Sequence, residues 1–179
     1  LTDESASIDS NGNSLINNLV WVNSQGIEVW VHPYEASHPD ASAITTGLLE
    51  NVACAKPGVL PWIGATFAQA QNACQGAGLR LCTPAEWSAI CAGASNQKYP
   101  YGNTYQSNHC NGLDKGLAEV DLTGASTDCS RSYNDQPIFD LSGNVKEWVN
   151  DGATSGFHQV RGGSYLSPDI GLSCDFDFA

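Results

Sequence analysis

The fold of this chain is decided by the stretch Asp140-Leu-Ser-Gly-Asn-Val-Lys-Glu-Trp148, which is followed after a gap by Val160-Arg-Gly-Gly-Ser-Tyr165. Two upstream blocks complete an ordered set, and they read Gly78-Leu-Arg-Leu-Cys-Thr-Pro-Ala-Glu-Trp87 and Tyr99-Pro-Tyr-Gly102. Each block alone is too short to indicate a fold. Four blocks in this order make a specific fold signal.

Two amphipathic helices are predicted near residues 66–76 and 83–92. Thr66 is the expected N-cap of the first helix, and an apolar stripe follows it at helical spacing. The second helix opens with the capping box Thr83-Pro-Ala-Glu86. In such a box the hydroxyl and the carboxylate each accept a hydrogen bond from an otherwise free backbone amide.

Strands are predicted on either side of this helical pair. The β-branched and aromatic residues of Ile27–Val31 indicate a strand that precedes the helices. From Tyr99 onward the sequence is rich in Gly, Asn, Asp and Ser, which is typical of loops, with short strand-like pieces near Trp148 and Val160. The predicted order is a strand, two helices, a loop-rich half and short strands.

This order and the four blocks resemble the formylglycine-generating (sulfatase-modifying factor) family, over roughly His32 to Ala179. The resemblance implies an α+β fold of the C-type lectin type, with two helices, short strands and many loops. We expect residues 1–26 to be an N-terminal extension or arm, and residues 27–179 to be the family-like domain. The fold alone does not decide the function, because it carries both enzymes and binding modules.

Length and composition favour a secreted, single-domain protein. A chain of 179 residues is long enough for one domain with a sizeable core. The net charge of −12 speaks against nucleic-acid binding, which needs clustered cations. No long apolar run predicts a membrane span. Since the chain starts at Leu1 and lacks methionine, we expect a mature product trimmed of a signal peptide.

The loop from Asp140 to Glu147 is the candidate metal site. It offers two carboxylates, an amide and backbone carbonyls, and Ca²⁺ accepts six to eight such oxygens in a tolerant geometry. In the resembled family the positions matching Asp140, Gly143, Val145 and Glu147 bind calcium. The alternative is a rigid turn in which Asn144 and Glu147 only hold backbone amides.

A second calcium site is implied less directly by the resemblance. It would use Asn111 and Gly112, with Asp121 or Asp128 as the acid, although the spacing departs from the family pattern. The acidic composition also has two interpretations, since acidic loops suit divalent cations but also keep a protein soluble. A buried ion pair is expected for Arg161, with Glu86 or Glu147.

Seven cysteines point to an oxidising compartment, so we expect a secreted, extracellular or cell-surface location, with the periplasm as the other compartment. The resemblance suggests a Cys91–Cys174 disulfide. Cys110 and Cys129 bracket one loop and are expected to close it. The remaining predicted pair is Cys54–Cys82, which leaves Cys74 unpaired. In the family, the partner of the Cys74 position lies in a final strand, and that strand is not found before Ala179.

Catalysis is not expected. The family enzyme needs a Cu(I)-binding cysteine pair just after the Gly-Gly-Ser-Tyr block, because soft thiolates select Cu(I). Here Ser167 stands at the first of those positions and Ile170-Gly-Leu172 offers no second thiol. Two hypotheses follow: a non-catalytic, calcium-stabilised module for ligand binding, adhesion or surface assembly, and a divergent copper-dependent oxidase that acts on a peptide cysteine.

The expected partner is a protein or glycan ligand, contacted by loops 38–64, 99–135 and 150–158, because a rigid scaffold that displays loops is a common binding design. Two explanations are expected for the missing final strand: it is truncated from this sequence, or a separate segment or a neighbouring subunit supplies it, which would be self-assembly by strand donation. An unpaired edge at Ile27–Val31 would accept a strand, and the apolar segment Leu15–Val22 would supply one.

Overall fold

The computed structural model describes residues 19–154 and 156–178. Its fold is α+β and C-type lectin-like, as the sequence predicted. The elements in chain order are β1 (Val20–Ser24), β2 (Ile27–Val31), α1 (Phe67–Gly76), α2 (Pro84–Ala92), β3 (Ser130–Tyr133), β4 (Gln136–Phe139), β5 (Glu147–Trp148) and β6 (Val160–Arg161), with 3-10 turns at Leu113–Lys115 and Asp169–Leu172.

The first hairpin includes residue 26, where the domain boundary was expected. Strand β1 pairs antiparallel with β2, from Val20 opposite Val31 to Ser24 opposite Ile27. The two turn residues both have left-handed φ, which suits the twist of a two-residue hairpin. Val20 and Val22 are buried in the core. A boundary at residue 26 therefore cuts through a hairpin, and Val20–Val22 are used within the chain. Leu15 to Asn18 lie outside the described residues.

Both predicted helices are confirmed, and each begins at a capping threonine. The hydroxyl of Thr66 accepts a hydrogen bond from the Gln69 amide, and the side-chain oxygen of Gln69 accepts one from the Thr66 amide. The same reciprocal pair joins Thr83 and Glu86 at the start of α2, with Pro84 in the first turn. The local sequence is sufficient here, because each cap is made within four residues.

The loop-rich half contains one hairpin that the sequence analysis missed, β3 paired with β4. Asn134 and Asp135 form its turn with φ of 50° and 63°. An Asn-Asp pair at a two-residue turn was the available signal. The predicted strands near Trp148 and Val160 are confirmed as β5 and β6, which pair with each other.

The core lies where the first hairpin, α2 and β4 meet. Its fully or nearly buried members include Val22, Trp87, Ile90, Ile138 and Val149. The Cys91–Cys174 disulfide ties the end of α2 to the C-terminal segment, and Cys110–Cys129 closes the loop between them, so both predicted bonds are confirmed. No helix in residues 19–154 and 156–178 is long and apolar enough to cross a membrane.

The predicted Cys54–Cys82 disulfide is wrong, since no such bond joins these two described residues. Cys54 is fully buried, and its backbone makes both hydrogen bonds of a bridge with Ser37. Cys82 instead sits where its carbonyl accepts a hydrogen bond from the Asn150 amide. The two residues are therefore fastened to different parts of the fold.

Candidate functional site

The acidic loop, residues 140–147, is held in an unusual backbone shape. Asp140, Gly143 and Asn144 all have left-handed φ, at 57°, 84° and 54°. The Gly143 amide donates to the Gly162 carbonyl at 2.7 Å. A Cβ at Gly143 would clash with the backbone oxygen of Asn111, so glycine is required there. The loop thus packs backbone against backbone.

Asn144 is the centre of the hydrogen-bond network in this loop. Its side-chain oxygen accepts from Asn111 Nδ2 at 3.0 Å and from the Asp121 amide at 2.7 Å. Its side-chain nitrogen donates to Glu35 Oε2 at 2.6 Å and to the Asp121 carbonyl at 3.1 Å. One buried amide therefore connects three separate segments of the chain to the acidic loop.

Glu35 belongs to this site, and sequence reasoning missed it. It follows β2 and is 4% exposed. Besides Asn144, its carboxylate accepts from the Val145 amide at 3.0 Å. Its contact with Val145 spans 110 positions. No local spacing could have indicated so distant a pairing.

Two buried carboxyl groups, Glu35 and Asp140, and the half-buried Glu147 repel one another in this region. Burial, followed by the charges of Asp140 and Glu147, raises the pKa of Glu35 well above its ordinary range. Burial raises the pKa of Asp140 to about 6, although its hydrogen bond from the Gly124 amide lowers it. Burial and the charge of Asp140 raise the pKa of Glu147 to about 7. A cation in this region would relieve that repulsion.

The residues predicted for the second metal site adjoin the acidic loop. Asn111 donates to the side chain of Asn144 and accepts from its backbone amide, so the second predicted site adjoins the first. Gly112 follows and packs closely against Leu172. Of the two acids considered for that second site, Asp121 is the one that contacts Asn144. The charge of Asp121 also raises the pKa of Asp140.

A cation-binding role fits an unsatisfied oxygen in this region. Asn111 is 1% exposed, yet its Oδ1 has no hydrogen-bond partner among the described residues. A buried amide oxygen without a donor costs free energy and is a natural cation ligand. The described residues contain no group of three or more His, Cys, Asp or Glu side chains placed to hold a metal. The predicted ligand set is of another kind, because it combines two carboxylates with backbone and amide oxygens.

The protein donors already present also bear on the rigid-turn alternative. Glu147 Oε2 accepts from Trp87 Nε1 at 2.8 Å, and Asp140 Oδ2 accepts from the Gly124 amide at 2.6 Å. One oxygen of each carboxylate is used in this way. These two hydrogen bonds connect the acidic loop to its own chain.

An apolar cavity of about 580 Å³ borders the acidic loop. Its wall includes Trp62, Trp87 and Trp148 and the two acids Glu35 and Glu147. This volume lies in the range of small-molecule pockets, which are mostly apolar with a few polar groups.

The position of the expected catalytic thiol holds a structural hydroxyl. Ser167 is 5% exposed, and its Oγ accepts from the Ser164 amide at 3.0 Å. The Ser167 amide returns a bond to the Ser164 carbonyl at 2.8 Å, and its own carbonyl accepts from Leu113. The hydroxyl therefore stabilises the turn from Ser164 to Ser167, which follows Gly162–Gly163 in the sequence.

The expected ion pairs of Arg161 are wrong. Its guanidinium lies 3.9 Å from Asp177 and donates to the carbonyls of Asp175 and Phe176. Glu86 forms its ion pair with Arg80 at 2.7 Å, and Glu147 accepts a hydrogen bond from the indole nitrogen of Trp87. Arg161 thus holds the C-terminal segment against β6.

Comparison with known proteins finds a protein kinase and two proteins of the formylglycine-generating type. A serine/threonine-protein kinase pkn1 from Chlamydia caviae is 30% identical over 101 residues, 56% of this chain and 15% of the relative. An inactive C-alpha-formylglycine-generating enzyme 2 from Bos taurus is 33% identical over 116 residues, 59% of this chain and 38% of the relative. The formylglycine-generating enzyme of Mus musculus is 33% identical over 119 residues, 52% and 32% respectively.

The chain spans less than two fifths of the length of each of these curated relatives. A family model covers far more of the chain, because it matches residues 12–177. Its description is a sulfatase-modifying factor enzyme 1-like domain. By this match, and by its helices, paired short strands and ordered motifs, the chain belongs to the sulfatase-modifying factor enzyme 1-like domain family.

Proposed function

We propose that this chain is a non-catalytic, calcium-stabilised binding module that acts outside the cell. The observation that carries the proposal is Ser167. Its buried hydroxyl occupies the position where the family enzyme is expected to have its first copper-binding thiol, and it is committed to a turn. A hydroxyl cannot replace a thiolate as a Cu(I) ligand.

The cysteines of the chain support the same view. Four of them are joined in disulfides. Burial raises the pKa of Cys74 to about 11 and that of Cys82 to about 12, so these thiols stay protonated at neutral pH. A protonated thiol is a poor nucleophile and a poor metal ligand. The relatives include an inactive C-alpha-formylglycine-generating enzyme 2 and a formylglycine-generating enzyme, each at 33% identity. Sequence similarity alone therefore favours neither the non-catalytic module nor the oxidase.

The acidic loop is the proposed calcium site. Asp140 and Glu147 would contribute carboxylate oxygens, and Gly143 and Val145 would contribute carbonyls. A bound divalent cation would neutralise carboxylates that otherwise repel one another, and so stabilise the loop that holds Glu35 and Asn111 in place. The unpartnered Oδ1 of Asn111 supports a second position beside the first, with Gly112 as its neighbour.

The proposed contact surface is made of loops. Exposed apolar side chains concentrate in loop 38–64, where Ile44 is 91% and Leu48 is 88% exposed. Phe157, in loop 150–158, is 94% exposed. Large apolar groups in water are unfavourable unless a partner covers them, and a cluster of them is typical of interaction sites. We propose a protein or glycan ligand at this surface. The two disulfides suit an extracellular location.

Strand addition is the proposed route for self-assembly. Within the described residues β2 pairs with β1 alone, and Val29 to His32 line the cavity. An added strand would extend this sheet. Sedimentation analysis would show a concentration-dependent dimer or larger species. A monomer at all concentrations would contradict this part of the proposal.

The calcium proposal is tested by thermal melting in calcium and in excess chelator. At a calcium concentration about 100 times the Kd, binding stabilises the folded state by about 2.7 kcal/mol. Glu147→Ala should abolish the difference between the two conditions. Glu28→Ala, an exposed residue of β2, is the matched control and should retain it. Equal melting of the unchanged protein in both conditions would contradict calcium binding.

The absence of catalysis is tested separately by titration with Cu(I). The reduced, calcium-loaded chain is compared with its Cys74→Ser and Cys82→Ser variants, and oxidation of a cysteine-containing peptide is followed by mass spectrometry. We expect no stoichiometric copper binding and no aldehyde product. Stoichiometric binding with peptide oxidation would instead establish the divergent oxidase.

A further inference from the structure

The apolar cavity has two acids in its wall, and hydrogen bonds tie both of them to other residues of that wall. Glu147 Oε2 accepts from Trp87 Nε1 at 2.8 Å. Glu35 Oε1 accepts from the Val145 amide at 3.0 Å, two residues before Glu147 in the same loop. The cavity therefore combines a mostly apolar surface with two carboxyl groups.

The Lys and Arg side chains in this wall are engaged with other groups. Arg80 donates to both carboxylate oxygens of Glu86, each at 2.7 Å. Lys146 Nζ lies 3.9 Å from the centre of the Phe178 ring. Within residues 19–154 and 156–178, no cationic side chain forms an ion pair with either acid of the wall. The negative charge of the cavity is therefore not neutralised by this part of the chain.

Indole rings line the same cavity, among them those of Trp62, Trp87 and Trp148. The Trp148 indole nitrogen donates to the Ala65 carbonyl at 2.8 Å, and that of Trp87 donates to a wall carboxylate. These two rings are thus held by hydrogen bonds of the protein itself. The face of an indole ring attracts a cation more strongly than that of any other side chain.

We propose that this cavity binds a small organic cation, a primary amine with an aromatic body, whose ammonium group pairs with Glu147. Charge complementarity selects this class of ligand. A neutral apolar ligand would leave the carboxyl groups of the wall without a cation, and an anion would be repelled by them. A volume of about 580 Å³ is within the range of pockets for single small molecules.

The ionisation of Glu147 suits this pairing. Burial, together with the charge of Asp140, raises the pKa of Glu147 to about 7. A positive charge placed beside the carboxyl group favours its ionised form, so the ammonium group and the carboxylate stabilise each other. At about pH 8 the carboxyl group of Glu147 is mostly ionised, whereas an alkylammonium group such as that of lysine keeps its proton.

The test is calorimetric titration at about pH 8, in excess chelator so that calcium does not compete for Glu147. Three probes with the same ring are compared: phenethylammonium, neutral 2-phenylethanol and anionic phenylacetate. We expect saturable binding of the ammonium probe, about tenfold weaker binding of the alcohol, and no binding of phenylacetate. Equal affinities for the ammonium probe and the alcohol would overturn the proposal, as would a lack of saturable binding.

A matched pair of variants tests the role of Glu147. Glu147→Gln should reduce the affinity for phenethylammonium to that for the alcohol. Asp135→Asn removes the same charge from an exposed turn and should leave both affinities unchanged. If Glu147→Gln retains the near-UV circular dichroism of the unchanged protein and still prefers the ammonium probe, the pairing is wrong.

A third variant tests the location of the ligand and separates this proposal from that of the calcium site. Ala70, on α1, lies in the cavity wall, and Ala70→Phe would fill part of the cavity without changing any carboxylate. It should abolish binding of phenethylammonium, while calcium still raises its melting temperature. Unchanged amine binding by this variant would place the ligand elsewhere and overturn the proposal. A lack of amine binding to the unchanged protein, with calcium-dependent melting intact, would overturn the amine site alone.

Discussion

The cap region, residues 78–86, and the acidic loop, residues 140–147, use glutamate in opposite ways. At the start of α2, Glu86 accepts from Arg80 and from Thr83, and these hydrogen bonds, that of Arg80 first, lower its pKa to about 2. In the acidic loop, burial raises the pKa of Glu147 to about 7. One carboxylate is satisfied by its neighbours in sequence, and the other is buried beside further acids.

The difference separates a structural charge from a functional candidate. A carboxylate paired with a cation of its own chain stabilises the fold and needs nothing else. Buried carboxyl groups that raise one another's pKa are stable only if they keep protons or gain a cation. The acidic loop is therefore the region where a ligand changes the molecule most.

The largest effect is expected for Gly143→Ala. The new methyl group would meet the backbone of Asn111, and the residue would keep a left-handed φ, so we expect a loss of about 4 kcal/mol in the free energy of unfolding. Gly78→Ala in the cap region has a similar φ of 72° but open space around it, and should lose only about 1 kcal/mol. Urea unfolding measures both. Equal losses would show that the acidic loop is not rigidly packed.

Asn144→Ala should follow, with a loss of about 3 kcal/mol, because it leaves several buried polar partners unsatisfied. The matched change is Thr83→Ala, which removes one helix cap and should lose about 1 kcal/mol. The two variants are compared by urea unfolding in excess chelator. A loss at Asn144 no larger than that at Thr83 would remove Asn144 from the centre of the site.

The two regions should give stability opposite dependence on pH in the absence of calcium. The pKa of Glu147 is raised from 4.5 to about 7, so in that window the folded state holds more protons than the unfolded one, and stability falls as pH rises. The pKa of Glu86 is lowered from 4.5 to about 2, so its contribution is present above 4.5 and is lost as pH falls toward 2.

The pH prediction is checked by urea midpoints across this range. Glu147→Gln should flatten the slope on the neutral side, and Glu86→Gln should flatten the slope on the acid side. Saturating calcium should flatten the neutral side in the unchanged protein, because a bound cation keeps the carboxylates ionised. If Glu147→Gln leaves the slope of stability against pH unchanged on the neutral side, that slope belongs to Glu35 or Asp140 and the prediction for Glu147 is wrong.

The smallest effect is expected for Arg80→Ala. Its side chain is 57% exposed, and exposed ion pairs contribute less than about 1 kcal/mol. The variant should unfold almost as the unchanged chain does at neutral pH, while calcium-dependent melting stays the same. A loss of unfolding free energy comparable to that of Asn144→Ala would show that the cap region and the acidic loop do not differ in this way.

The sequence predicted the parts of the fold that depend on residues close to one another along the chain. Both helices were predicted with their N-caps, because Thr66 and Thr83 are satisfied within one turn. The strand Ile27–Val31 follows from its β-branched residues in the same way. The hairpin at Asn134-Asp135 was within reach of the same kind of reasoning and was missed.

The candidate site was predicted only in part. Its loop residues are contiguous, so Asp140 to Glu147 could be read together. Glu35 could not, because it meets Asn144 across 109 positions and nothing local marks it. The predicted Cys54–Cys82 disulfide failed for the same reason, since counting cysteines leaves several connectivities and does not show which residues meet.

The sequence by itself determined the family, the two capped helices, the Cys91–Cys174 and Cys110–Cys129 bonds and the loop that offers oxygen atoms. The helices follow from short-range hydrogen bonding, the family from motif order, and the Cys91–Cys174 bond from the resemblance to that family. Only the tertiary structure decided that Val20–Ser24 belongs to the core, that Glu35 and Asn111 join the acidic loop, and that Cys74 and Cys82 share a cavity. Such contacts depend on packing between distant segments, and their free energies appear only once the chain has brought those segments together.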